Sequence, residues 1–278
     1  SYYTFRIPME VIKPNQHLKN VISLSSENTV EMFKKDYFPK DPAAQYAAYK
    51  AEVLQIISLY PESILETAIA MKYEPDNAYL MYLLTETYSM NGEFYASISW
   101  AQALLNHFKE KGMIEKMPLQ IWQHNFPVYY NSIVKKQADH YELDPYLVWS
   151  TIREESHFSP WIESSAGAVG LMQIMPSTGE WIAEKLNDMK FQNDLLYHPD
   201  VNIHLGCWYL QYLQDRFSRN YHLVISGYNA GPGVTDRWVE TIDMTDLDSF
   251  IENIPYQETS EHIKKVLRSY MIYQIIYS

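Results

Sequence analysis

The chain is short of cysteine, of positive charge and of long apolar runs, and each shortage removes a class of function. Cys207 is its single cysteine, so neither an internal disulfide nor a cysteine-based zinc cluster can form. It lies in an apolar helical run and reads as a small hydrophobe. Lys and Arg number 22 against 34 Asp and Glu, for a formal net charge of −12. Holding nucleic acid or an anionic membrane without specificity needs a cationic surface, so neither is expected as a partner. No stretch approaches the roughly 20 apolar residues of a membrane span. The start, Ser1-Tyr2-Tyr3-Thr4-Phe5-Arg6, is not a basic segment leading into an apolar run, so no signal peptide is visible. There is no Gly-x-Ser-x-Gly elbow, no Walker loop, no His-Glu-x-x-His helix and no Gly-x-Gly-x-x-Gly turn. His198 and His204 read as surface or core histidines, and neither a metal nor a cofactor is expected.

Aromatic residues are abundant. The 278 residues include 24 Tyr and seven Trp. Such rings either pack helices together or stack on the apolar faces of sugars. Apolar residues make up 47% and charged residues 20%, a balance that folds. The length suits one large domain or two ordinary ones.

No segment alternates in the manner of a strand, so the expected class is all-α. Residues 1 to about 40, with Pro8, Pro14 and Pro39, read as short elements leading into a longer helical region. Within that region, Val53, Leu54, Ile57 and Leu59 have roughly helical spacing. Pro61, Pro75 and Gly92 divide the stretch into helices near 42–58, 62–72, 76–90 and 93–110. Asn77 to Leu105 resembles one tetratricopeptide-like hairpin turning at Asn91-Gly92, with no second clean copy at a fixed period. Residues 1–120 are therefore expected to form an irregular helical solenoid. After Gly112 and Pro118, residues 121–278 form a second helical domain, with helices near 128–141, 145–156, 176–187, 200–217, 220–229 and 259–276.

Four stretches of that second domain carry chemistry. Asp144 and Pro145 are suited to start a helix, and Pro160 to stop it. At 100° per residue, Leu147, Val148, Thr151 and Ile152 centre near roughly 70°, Glu155 falls near roughly 80° and Glu154 near roughly 340°. Glu155 is thus expected in the middle of the apolar face, where burial favours a protonated carboxyl; the plainer alternative is a helix-end Glu bonded to the next turn. The second stretch, Ser164 to Thr178, holds one amide, Gln173, within an apolar run. It needs buried partners or a ligand. The third, Gly227-Tyr228-Asn229-Ala230-Gly231-Pro232-Gly233, ends an apolar helix; Asn229 would otherwise simply bond locally. The fourth, Ile254-Pro255-Tyr256-Gln257-Glu258-Thr259, precedes the last helix. Thr259 is expected to cap it, and Glu258 to complement its N-terminus.

In this order, Glu155-Ser156-x-Phe158-x-Pro160, Gly170-Leu171-Met172-Gln173-Ile174-Met175-Pro176, Tyr228-Asn229-Ala230-Gly231-Pro232 and Ile254-Pro255-Tyr256-x-Glu258-Thr259 resemble the four motifs of the soluble lytic transglycosylase family. The resemblance covers about residues 125–276 and implies a goose-type-lysozyme-like helical domain. The preceding solenoid resembles the superhelical region of the larger soluble enzymes in general character. By the same resemblance Glu155 is the catalytic acid/base and Ser164 holds its carboxyl. Gln173, Met175, Tyr228 and Glu258 line a sugar cleft, and Asn229 supports it. His262 stands where the family pattern usually has Tyr, which leaves the contacts near Glu258 open.

What the resemblance implies chemically is cleavage of peptidoglycan glycan strands between N-acetylmuramic acid and N-acetylglucosamine. Ordinary glycosidases use two carboxylates. Here one suffices: Glu155 protonates the leaving oxygen, the muramic N-acetyl oxygen stabilises the anomeric centre, and Glu155 then takes the proton of the sugar's own 6-hydroxyl. The product is a 1,6-anhydromuramoyl end. A muramidase of the same fold would need a second carboxylate, for which Glu163 and Asp236 are candidates. A glycan-binding scaffold without catalysis is the remaining alternative. The substrate implies an extracytoplasmic, periplasmic location, and the N-terminal helices are expected to lengthen the glycan surface or bind a protein partner.

Overall fold

The computed structural model describes residues 16–25 and 29–277; the expectations for Ser1 to Arg6, Pro8 and Pro14 lie outside the described residues. Among those residues the chain is helical and carries no strand, only isolated bridges of Val169 with Glu163 and with Ile174. It forms two bodies. The first extends to Val128 and takes in the chain from Ile275; the second runs from Tyr129 to Gln274.

The first body runs through α1 (Gln16–Ser25), α2 (Val30–Tyr37), α3 (Pro42–Ile56), α4 (Tyr60–Met71), α5 (Ala78–Met90), α6 (Phe94–Glu110) and α7 (Leu119–Asn125). The sequence pattern does not mark the short α1, α2 and α7. Helices α3 to α7 each pack on the next. Asp41 caps α3 by accepting from Ala43 N at 2.8 Å, with Pro42 behind it, and Asn77 caps α5 through Leu80 N at 3.1 Å. The buried stripe of α3 is not Val53, Ile57 and Leu59, which stay exposed, but Ala44, Ala47, Ala48 and Ala51. Small side chains let α3 approach its neighbours closely, so helical spacing alone points to the wrong face.

A fixed period does exist, contrary to the sequence reading. Ser63 Oγ donates to Ala51 O at 2.8 Å, and Ser97 Oγ to Thr85 O at 2.8 Å; both residues of the second pair lie 34 positions beyond their counterparts in the first. The same offset relates the left-handed turn residues Ser58 (φ 62°) and Gly92 (φ 78°). The hairpins α3–α4 and α5–α6 are two copies of one unit with the tetratricopeptide period. The first copy is hidden in the sequence because serine holds the place of the expected glycine.

The second body comprises α8 (Asn131–His140), α9 (Pro145–Ser156), α10 (Pro176–Leu186), α11 (Pro199–Arg216), α12 (Tyr221–Ala230), α13 (Pro232–Thr241), α14 (Leu247–Glu252) and most of α15 (Gln257–Tyr277). α11 packs against α8, α10 and α12. Asp144 caps α9 by accepting from Tyr146 N at 2.9 Å, and Tyr270 of α15 donates to the same carboxylate at 2.7 Å. Trp149 is buried, with its indole N–H on Tyr129 O at 3.0 Å and its ring stacked on Tyr273. α9 ends before Pro160 is reached: His157 (φ 46°) and Phe158 (φ 61°) are both left-handed. Thr259 lies inside α15, not at its cap.

Candidate functional site

Glu155 occupies the last turn of α9, and its side chain is 15% exposed. Its Oε1 lies 3.2 Å from His262 Nε2 on α15, although no ring N–H points squarely along that line. The sequence marks His262 only as a departure from a pattern near Glu258. His262 and Glu155 stand far apart along the chain, so only the fold reveals the pair. Burial disfavours the imidazolium, but Glu155, as bond partner and as charge, together with Glu154, outweighs burial and Lys265. The pKa of His262 is therefore raised.

Glu154 is more enclosed than its helical phase implies, at 7% exposure. α9 is packed nearly all round, so a position at the margin of its apolar face is still covered. Glu154 pairs with the buried Arg153 and accepts from Ser269 Oγ. Burial pushes its carboxyl up, but Arg153, Ser269 and Arg268 together bring it below the usual carboxylate value. Glu154 is a structural anion, while Glu155 faces a titratable partner.

The segment between α9 and α10 is fastened from both sides. Ser156 Oγ donates to Leu171 O at 2.8 Å. Asn202 of α11 accepts from Met172 N at 2.7 Å and donates to Val169 O at 2.9 Å and Leu196 O at 2.8 Å. Sequence reasoning misses Asn202, although an amide within the apolar run Val201-Asn202-Ile203 is a signal. Gly170 (φ 80°) passes so close that an added Cβ would come within 2.4 Å of Asn202 Nδ2 and of Leu196 O.

Gln173 is left-handed (φ 48°), and its amide nitrogen donates to Gly170 O at 3.0 Å and Ile162 O at 3.3 Å. Among the described residues no protein donor reaches its Oε1. Met175, 37% exposed, precedes α10 at the lip of this segment. Ser164 Oγ accepts from Ala168 N at 3.0 Å, and among the described residues no hydrogen bond joins it to Glu155.

α12 brings Tyr228, whose hydroxyl donates to Met172 O at 2.7 Å. Burial, then the charge of Glu155 and the neighbouring Tyr209, push that hydroxyl's pKa well up, so Tyr228 lies within the field of Glu155. Asn229 Oδ1 accepts from Thr259 Oγ1 at 2.7 Å and ties the end of α12 to the start of α15. Glu258, in the first turn of α15, is exposed. The structure thus brings Glu155, Tyr228 and the Met172 backbone together. Glu163 instead accepts from Tyr197 at 3.1 Å, and Asp236 pairs with Arg216.

Residues 132–249 match the family model described as Transglycosylase SLT domain. The chain is 33% identical over 153 residues to the soluble lytic murein transglycosylase of Escherichia coli K12, covering 53% of this chain and 24% of that protein. It is 36% identical over 126 residues to the putative soluble lytic murein transglycosylase of Haemophilus influenzae, covering 45% and 21%. The chain therefore spans about a quarter of the length of these relatives. In fold it is similar to the 70-kDa soluble lytic transglycosylase of E. coli, with a TM-score of 0.64 at 23% identity over 94% of this chain and 43% of that one.

Proposed function

Because residues 132–249 match the family model described as Transglycosylase SLT domain, we propose that the chain is a peptidoglycan lytic transglycosylase with Glu155 as its one acid and base. The observation that carries this reading is the setting of Glu155: a carboxyl at a helix end, largely shielded from water, with His262 at 3.2 Å and Tyr228 in its field. A shielded carboxyl with a titratable neighbour suits a group that must give a proton and take one back.

Glu155 protonates the oxygen between N-acetylmuramic acid and N-acetylglucosamine. The muramic N-acetyl oxygen supports the anomeric carbon as the bond breaks. Glu155, now a carboxylate, removes the proton of the 6-hydroxyl, whose oxygen closes on the anomeric carbon. No water is consumed. Ser164, Gln173, Met175, Tyr228, Asn229 and Glu258 form the sugar-binding set. Gln173 offers its amide oxygen, since its nitrogen is engaged by backbone; Asn229 acts through Thr259. His262 steadies the carboxyl of Glu155.

A hydrolysing muramidase needs a second carboxylate, and both sequence candidates are engaged elsewhere, Glu163 with Tyr197 and Asp236 with Arg216. That supports transglycosylation over hydrolysis. A peptidoglycan substrate supports a location outside the cytoplasm, in a periplasm. The first body carries none of the four motifs, and its proposed role is to hold long strands or a protein partner. Mass spectrometry of digested peptidoglycan tests the reading. Anhydromuramoyl ends are expected; reducing ends would mean a muramidase, and undigested material a binding protein.

A further inference from the structure

A second cluster of rings lies beyond Tyr228, and the chemistry above makes no use of it. Trp208 and Tyr212 are four residues apart on α11 and share one side of it. Their rings are parallel to within 2°, with centroids 5.8 Å apart. Trp181 of α10 meets them edge-on, at 5.3 Å from Trp208 and 5.2 Å from Tyr212. Trp208 and Tyr212 therefore form an offset stack on α11, and Trp181 of α10 meets its edge to make a corner. A cavity of about 300 Å³ opens there, lined by Ser177, Thr178, Trp181, Tyr209, Tyr212 and Pro232, at the small end for a ligand site. Trp181, Trp208, Tyr209 and Tyr212 are all only partly buried.

The lining selects among ligands. It holds no charged side chain. Arg216, the cation nearest Tyr212, is paired with Asp236, so an anion finds no free partner there. An aliphatic chain would be met by Pro232 alone among non-aromatic apolar residues. Flat rings bordered by four hydroxyls, those of Ser177, Thr178, Tyr209 and Tyr212, match a body with an apolar face and a hydroxylated edge. A pyranose has that form. Position agrees: the Tyr209 ring is 5.4 Å from that of Tyr228, so the corner continues the surface that begins at Glu155.

We propose that the cavity at this corner, walled by Trp181, Tyr209 and Tyr212, is a carbohydrate subsite that packs one N-acetylhexosamine against its rings, on a strand whose scissile bond lies at Glu155. The choice of strand rests on the transglycosylase reading; the packing rests on the rings. Its test uses the full chain carrying Glu155→Gln, titrated with chitohexaose in a calorimeter, alone and with Trp181→Leu or Tyr212→Leu added. Leucine keeps apolar bulk and removes the flat face. Each change is expected to weaken binding by about three- to tenfold. Tyr209→Leu serves at the same corner if either variant loses its helical circular dichroism. Unchanged affinity in folded variants, or no binding by the parent, overturns the subsite. Assay of anhydro ends with unsubstituted Glu155 separates the two readings. Ring-dependent binding without anhydro ends keeps the subsite and removes the reaction. Anhydro ends with ring-independent binding do the reverse.

Discussion

The imidazole of His262 lies against the carboxyl of Glu155, Nε2 to Oε1 at 3.2 Å, with both side chains largely enclosed. Because the pKa of His262 is raised, the folded state binds a proton more tightly than the unfolded chain. The stabilisation is complete below the ordinary histidine value of about 6.5 and is lost as pH rises through the folded value. The excess stability of the parent over His262→Phe should be largest in mild acid and shrink above neutrality. Urea unfolding of both proteins across that range measures it, and two parallel stability curves would remove the coupling.

The neighbouring carboxylates should separate cleanly. Glu155→Gln should leave the fold and lower cleavage by about a hundredfold or more. Glu154→Gln should leave Arg153 buried without its anion and cost about 3 kcal/mol of stability, while activity at low temperature survives. Since the Glu154 carboxyl sits below its usual pKa, its contribution holds above the ordinary carboxylate value and is lost as pH falls through the folded value. Cleavage assays beside thermal unfolding decide this. A stable but inactive Glu154→Gln would exchange the two roles.

Gly170→Ala should be among the most damaging single-methyl changes. The new Cβ would press on Asn202 and Leu196 O at 2.4 Å, in a left-handed conformation that alanine disfavours. A loss of more than about 1 kcal/mol is expected, together with loosening of the Met172 carbonyl that receives Tyr228. A wild-type unfolding midpoint would show that this loop yields easily.

How much of the fold and site is legible in the sequence depends on the range of each interaction. Asp144-Pro145 acts within a turn and marks the start of α9, and the Asn77 to Leu105 stretch marks the α5–α6 hairpin. The contact of His262 with Glu155 and the three bonds of Asn202 depend on tertiary packing. The alanine stripe of α3 is hidden because size, not only polarity, decides which face can pack closely. Pro160 looks like the helix stop, yet His157 and Phe158 turn the chain first, at a backbone cost that no composition rule reports.

The turn at Ser58 offers a stability test of the hairpin repeat. Its φ of 62° is one that glycine adopts freely, as Gly92 does at the matching place. Ser58→Gly should stabilise the protein by about 0.5 kcal/mol, the relief of left-handed strain exceeding the added freedom of the unfolded chain. Chemical denaturation would detect it, and a destabilised variant would mean that the serine is compensated locally.

The 34-residue offset between the two serine–carbonyl bonds also sets the quantum in which this part of the chain can grow or shrink. Removing or duplicating one whole period would leave each serine–carbonyl bond intact within its own hairpin and present that hairpin with a neighbour of the same register. A length change of any other size would rotate the next helix out of phase. Natural and engineered variants of the first body should therefore differ in length by whole hairpins, with insertions of other sizes confined to the loops between them.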